Sequence, residues 1–307
     1  MIPPLPSRVT LVEVGPRDGL QNEKSVVSTA DKIAFVNGLS AAGHQVIEVS
    51  AFVSPTWVPQ MADAAEVFAG ITRKSGIRYT ALVPNIAGLD RAIAAGVTEV
   101  AIFAAASETF SQRNINQSIE QSLSQYASVV DRAFDHGLRV RAYLSTCFGC
   151  PFEGPIAPAR VADLAARLIA IGAYEVAISD TIGIAHPGQI PQVLDAVIAQ
   201  VPINQVALHF HDTRGTALAN VLAAIYYGVT TFDSSAGGLG GCPFAPGAAG
   251  NLATEDLLYM LDGLGLATGV SLPAVMDASI QLEQRLDHPL RSRYVEAARS
   301  QRKAGAG

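Results

Sequence analysis

Val206-Ala207-Leu208-His209-Phe210-His211 reads as a β-strand with two unlike faces. Side chains alternate along a strand, so Val206, Leu208 and Phe210 share one face while Ala207, His209 and His211 share the other. The apolar face suits a covering layer of helices. The opposite face carries two imidazoles, both toward the strand's C-terminal end. Polar groups sent inward at that end are what the mouth of a closed barrel of parallel strands requires, because barrel active sites lie there.

Similar runs, rich in apolar and β-branched residues, recur along the rest of the chain. Their spacing predicts strands at Val9–Val14, Gln45–Ala51, Arg78–Pro84, Glu99–Ala105, Arg139–Thr146, Tyr174–Asp180, Gln205–His211 and Thr230–Ala236, with Ala/Leu-rich helical stretches between them. Strands alternating with helices predict βαβ units and a parallel sheet. Gly43, Gly76, Gly96, Gly137, Gly172 and Gly228 stand just before these runs, where a helix C-cap needs the left-handed conformation. Eight such units predict an α/β fold of the TIM (β/α)8 barrel type rather than an open doubly wound sheet. After the eighth run comes a Gly- and Pro-rich stretch, Gly237–Gly250. A helix is expected from Asn251, followed by extra C-terminal helices near 271–286 and 289–302. The organisation expected is a catalytic barrel over 1–265 and a helical extension over 266–307 packed on it.

Composition narrows the function. The chain has 307 residues, 49% hydrophobic and 16% charged, enough apolar material for one large core. Its net charge of −6 lacks the basic footprint of a nucleic-acid binder. An anionic ligand would therefore be held by local Arg, Lys or backbone N–H groups. The three cysteines, Cys147, Cys150 and Cys242, are too few and odd in number for a disulfide framework. Cys147-x-x-Cys150 has no second pair to complete a structural zinc site and reads as packing. Neither a secretory signal nor a membrane-spanning run is evident, so a cytoplasmic setting is the default expectation. A homodimer is expected on general grounds.

The parity argument picks out further inward groups. Two imidazoles at i and i+2 on a strand can reach one ion; with carboxylate or carbonyl oxygens they suit Zn, Mn, Fe or, less typically, Mg. The alternative is a pair of hydrogen-bonded core histidines. Val46, Glu48 and Ser50 share a face, and an interior carboxylate is costly unless paired. Glu48 is thus expected both to form a buried salt bridge with an Arg and to orient that Arg in the site. On the fifth strand Arg139, Arg141, Tyr143 and Ser145 share a face, with Tyr143 and Ser145 near the top, within reach of a substrate. Asp180 ends the sixth strand and either caps the following turn or faces the site.

The first strand runs into Gly15-Pro16-Arg17-Asp18-Gly19, which would bring Asp18 toward His209 and His211. Arg17 beside it offers a fork for a carboxylate or an enolate oxygen; a charged surface turn is the bland alternative. Gly237-Gly-Leu-Gly-Gly-Cys242-Pro-Phe244 has the flexibility of a lid carrying one thiol, or of a phosphate cradle. Asn251 is expected as a helix N-cap, or as a carbonyl oxygen completing a metal shell.

Taken in order, these segments resemble the 3-hydroxy-3-methylglutaryl-CoA lyase family. The resemblance rests on Val14-Gly-Pro-Arg-Asp-Gly-Leu-Gln-Asn-Glu23, Ile47-Glu-Val49 with Phe52-Val-Ser-Pro55, Asn114-Ile-Asn116, Asp180-Thr-Ile-Gly183, His209-Phe-His-Asp-Thr213, the Gly237–Gly247 loop and Gly250-Asn-Leu-Ala-Thr-Glu-Asp256. It runs from residue 9 to about 265. It implies a divalent metal, Mg2+ or Mn2+, held by Asp18, His209, His211 and Asn251. It implies that Arg17 stabilises the enolate of departing acetyl-CoA, that Glu48 supports Arg17, and that Cys242 takes part in proton transfer; the enolate is then protonated by His209 or by an acid delivered on the loop. Gln21, Asn114, Tyr143, Asp180 and Thr181 are expected to meet the acyl-CoA substrate. The implied products are acetyl-CoA and acetoacetate, as in leucine breakdown. The general base stays open between Asp18 and a metal-bound water. Phe210 stands where Cys is common in the family and Arg214 where Tyr is common; Arg214 and Lys24 are candidates for the CoA phosphates. Longer 3-branched glutaryl-CoA esters, or a Claisen-type condensation, are the alternative reactions.

Overall fold

The computed structural model describes residues 5–241 and 250–304. Eight parallel strands pair in chain order and β8 returns to β1, closing the barrel. β1 (Thr10–Glu13) leads through a short π-helix (Gly15–Gly19) to α1 (Thr29–Ala41). β2 (Val46–Ala51) is followed by α2 (Ala64–Gly70), and β3 (Arg78–Leu82) by α3 (Ile86–Ala94). β4 (Glu99–Ala105) is followed by α4 (Glu108–Ile115) and α5 (Ile119–Asp135). β5 (Arg139–Ser145) precedes α6 (Pro158–Ala170), and β6 (Val176–Asp180) precedes α7 (Ile190–Ile198). β7 (Val206–Phe210), α8 (Ala217–Tyr226) and β8 (Thr231–Ser234) complete the barrel. α9 (Thr254–Gly263), α10 (Leu272–Glu283) and α11 (Arg293–Ala304) follow.

Local sequence accounts for these elements. α6 starts on Pro158, tolerated in a first turn, and buries Val161, Leu164, Ala165 and Leu168, one stripe at helical spacing. α5 opens with a reciprocal capping box between Ser118 and Gln121. The six glycines that precede strands all have positive φ, from 69° at Gly96 to 112° at Gly172; five of them directly follow a helix C-cap, as expected, whereas Gly76 lies in a turn six residues beyond the end of α2. The main apolar core lies between strands and helices, where Ile47, Val49, Ile178, Leu208 and Phe232 are buried.

The barrel interior is different. A barrel of this class is usually filled by branched apolar side chains. Here Val12, Val14 and Val46 form a small separate cluster, and much of the remaining interior is ionic. Toward the N-terminal ends of the strands, Arg78 and the Tyr174 hydroxyl both donate to Glu99, at 3.1 and 2.6 Å. The C-terminal helices return to the barrel wall. α10 lies on α1, where a Cβ on Gly38 would come within 3.0 Å of Ala278. α11 is tied to α9 through Asp256, which accepts from Ser292 Oγ and the Tyr294 amide. Among the described residues no helix is long and apolar enough to cross a membrane.

Candidate active site

The site begins with the π-helix after β1. The amides of Arg17, Asp18 and Gly19 all donate to Val14 O, at 3.1, 2.7 and 3.1 Å. Single-turn π segments of this kind recur at functional sites. This one is pressed against the exit of β8: a Cβ on Gly15 would lie 2.7 Å from Glu13 Oε1, and one on Gly19 would lie 2.7 Å from Ser235 Oγ and 2.9 Å from Leu239 Cβ. Glu13, wholly buried on the outer face of β1, fastens the junction. Its oxygens accept from the amides of Gly15 and Ala236 and from Thr254 Oγ1 at 2.7–2.9 Å. One carboxyl group thus joins the segments that carry Arg17 and Asp18, the root of the glycine-rich loop, and the start of α9.

Arg17 is directed inward and is not part of a surface turn. It is 6% exposed, and its Nε donates to Glu48 Oε2 at 2.5 Å while Nη1 donates to Asp18 Oδ1 at 2.6 Å. Its guanidinium also lies over the Tyr143 ring at 5.4 Å, and Arg141 lies 5.0 Å from the same ring. Burial pushes the Glu48 carboxyl up, against the pull of Arg17. Asp18 goes the other way. Burial alone would raise it, but the Arg17 guanidinium, and with it the hydrogen bond from Asn251, holds it well below the usual carboxylate range.

Asp18 Oδ2 accepts from Asn251 Nδ2 at 2.8 Å and lies 3.9 Å from His209 Nε2. The rings of His209 and His211 are 5.2 Å apart. Asp18, His209 and His211 each offer a ligand atom, all within 4.8 Å of one another. Two atoms beside this cluster, Asn251 Oδ1 and His211 Nδ1, are buried without a hydrogen-bond partner. Orphaned buried acceptors are rare and costly. Imidazole and oxygen donors together suit a divalent cation, and such an ion would satisfy them. His211 is lowered to about 4, by burial first and then by His209, so its ring is neutral and its lone pair free to bind.

A cavity of about 410 Å³ opens beside the cluster. Arg17, Asp18, Gln21, Asn114, Tyr143, Thr181, His209 and His211 line it, and a second wall is apolar: Val53, Trp57, Val58, Leu82, Phe103 and Phe110. Glu48 and Asn251 stand behind this lining and act through Arg17 and Asp18. Thr181 is fixed by accepting from the Thr146 amide at 2.8 Å. Thr146 itself sits at φ 62°, a conformation a β-branched residue adopts only under local constraint.

Several expectations need correction. Asp180 is absent from the cavity lining: parity puts it on the outward face with Val176 and Ile178, and its oxygens accept from the Ile184 and Ala185 amides at 3.0 and 2.9 Å. Its part is capping the turn after β6. Asn251 does not cap a helix, because α9 starts at Thr254; instead it forms an isolated bridge with His211. Arg214 is occupied by the carbonyls of Ile182 and Gly183. Cys242 lies outside the described residues. Cys147 and Cys150 are buried free thiols, consistent with packing.

Sequence reasoning missed Asp233. It is fully interior, accepts from Arg141 Nη2 at 2.8 Å, and faces His209 Nδ1 at 3.1 Å. The signal was present: in Thr231-Phe232-Asp233-Ser234, Phe232 packs outward, which turns Asp233 into the barrel.

The sequence pattern of the HMGL-like family matches residues 8–281. A curated Pseudomonas aeruginosa protein, named 3-hydroxy-3-isohexenylglutaryl-CoA/hydroxy-methylglutaryl-CoA lyase, is 54% identical over 274 residues, covering 89% of this chain and 91% of that protein. The crystal structure of hydroxymethylglutaryl-CoA lyase from P. aeruginosa superposes with a TM-score of 0.95 at 52% identity, covering 97% of this chain and 99% of that one. An Acinetobacter baumannii HMG-CoA lyase, solved with coenzyme A and 3-methylmalate, superposes with a TM-score of 0.91 at 39% identity over 95% of each chain.

Proposed function

Since the chain belongs to the HMGL-like family, we propose that it is a carbon–carbon lyase that cleaves 3-hydroxy-3-methylglutaryl-CoA to acetyl-CoA and acetoacetate. The observation that carries this reading is the placement of Arg17 against the Asp18, His209 and His211 cluster at one wall of the cavity. Relatives about half identical over most of their length bear lyase names, which supports it.

The cleavage passes the proton of the C3 hydroxyl to a water at the cluster, turns C3 into the ketone of acetoacetate as C2–C3 breaks, and leaves the bonding pair on the thioester as an enolate. Mg2+ or Mn2+ held by Asp18, His209, His211 and Asn251 would supply Lewis-acid polarisation of substrate oxygens. Arg17, buried and locked by Glu48 and Asp18, presents a guanidinium that cannot lose its charge, preorganised for the developing enolate oxygen. Asp18 is held so far down that it is a poor proton acceptor; it suits the grip on a cation better than the role of base. Gln21, Asn114, Tyr143 and Thr181 line the space where the acyl chain lies. Cys242 is the residue we assign to proton return to the enolate carbon. The reading extends to a cytoplasmic homodimer serving leucine breakdown.

A second substrate is favoured by one observation. The wall of Val53, Trp57, Leu82 and Phe103 offers apolar contact to a longer branch at C3. A steady-state comparison of 3-hydroxy-3-methylglutaryl-CoA with longer 3-branched esters decides between them. The primary test is acetyl-CoA release by purified protein with Mn2+ or Mg2+, abolished by EDTA and restored by added metal. Full turnover in a metal-stripped sample would contradict the metal role, and rapid free CoA formation from acetyl-CoA and a 2-oxoacid would favour a synthase.

A further inference from the structure

The two histidines of the cluster are held differently. His211 Nδ1 has no partner, whereas His209 Nδ1 faces Asp233 Oδ2 at 3.1 Å. Asp233 is itself fixed from across the barrel. Arg141, on β5, reaches it with both terminal nitrogens, at 2.8 and 3.3 Å, and turns its Nε to Glu175 Oε1 at 2.7 Å. Arg141 and Asp233 are each 2% exposed. Glu175, Arg141, Asp233 and His209 therefore form one buried chain from the foot of β6 to the mouth of β7.

A carboxylate only accepts hydrogen bonds, so it fixes the tautomer of the imidazole it meets. Both terminal nitrogens of Arg141 donate to Asp233 from the other side, so its oxygens are engaged as acceptors and Oδ2 meets His209 as one. The ring nitrogen it faces must then carry the proton, and Nε2, 3.9 Å from Asp18 Oδ2, is left as the lone pair toward the cluster.

We propose that Asp233, clamped by Arg141, is a positioning residue that keeps the proton of His209 on Nδ1 and aims Nε2 at the divalent cation. The inference rests on the metal reading above, and its test separates the two. Mn2+ is titrated into metal-stripped protein and the free ion is followed by electron paramagnetic resonance. Asp233→Asn is expected to bind Mn2+ about 10- to 100-fold more weakly than the native chain, the range seen when such outer partners are removed. A native chain that binds no Mn2+ refutes the metal reading itself. Native binding with Asp233→Asn within about threefold overturns the positioning role alone, since the expected loss is larger. If the variant fails to fold, the native metal-free protein still decides. Long-range proton–nitrogen spectra, with His209 identified by the signals lost in His209→Gln, are expected to show a protonated Nδ1. A bare Nδ1 overturns the inference.

Discussion

Arg17 and Glu48 are both buried and bonded at 2.5 Å, yet the consequences of removing one or the other are unequal. Glu48→Gln keeps the volume and takes away the charge. The guanidinium left behind cannot deprotonate. Breaking a buried ion pair from one side costs about 3–5 kcal/mol, and because Asp18 still holds Arg17 Nη1, the lower end, about 3 kcal/mol, is expected. At roughly 2 °C per kcal/mol for a chain of this size, melting should fall by about 6 °C. Arg17→Gln strands a carboxyl instead, and burial already pushes that carboxyl up, so it can take a proton and the fold loses less than in Glu48→Gln. The double variant should melt above Glu48→Gln alone. Turnover should fall in both: about 100- to 1000-fold for Arg17→Gln, which removes the enolate donor, and about 100-fold for Glu48→Gln, which displaces it. Scanning calorimetry is done in chelator, so that differences in metal affinity do not enter, alongside steady-state acetyl-CoA release. An Arg17→Gln protein that melts below Glu48→Gln would refute the reasoning.

Three other outcomes follow from the geometry. Glu13 and Glu255 are raised by burial to about 8 and about 7, so the folded chain keeps protons the unfolded chain has lost. Their contribution is complete below the usual value of 4.5 and lost as pH rises through 7 to 8, so the melting temperature should decline along that limb and Glu255→Gln should flatten it. Cys242→Ser should lower turnover strongly while Mn2+ affinity by titration is unchanged; an unaltered rate would leave the loop a cover only. Gly19→Ala drives a methyl into Ser235 and Leu239, and should weaken Mn2+ binding by about 10-fold through displaced Asp18, read by the same titration.

The barrel was legible because its signals are local. His209 and His211 declare an inward face by alternation with Leu208 and Phe210, and Gly43, Gly96, Gly137, Gly172 and Gly228 mark where five of the helices end. Asp180 and Thr181 show the limit of that reasoning. They are neighbours in sequence, but one is spent on the amides of its own turn and the other lines the cavity, a difference set by how the β6 loop folds back. Asp233 escaped for a related reason. A single carboxylate among serines carries little signal until β5 is known to stand where Arg141 can reach across to β8. Asn251 was misplaced because the helix starts two residues later than its N-cap propensity suggests, while Asn251 itself is held in a bridge to His211, just past β7.

The closure of β8 onto β1 also has a consequence in time. Asp18 and Asn251, bonded in the finished molecule, are 233 positions apart. At the pace of ribosomal synthesis, roughly 5–20 residues per second, Asp18 is made about 12 to 47 s before its partner exists. Throughout that interval the nascent chain holds an open sheet whose first strand has a bare edge, the kind of surface that pairs with strangers. The stretch that seals that edge also carries the Asn251 side chain that Asp18 accepts from, so a chain stalled before it has an open sheet and an unpaired Asp18 for the same reason.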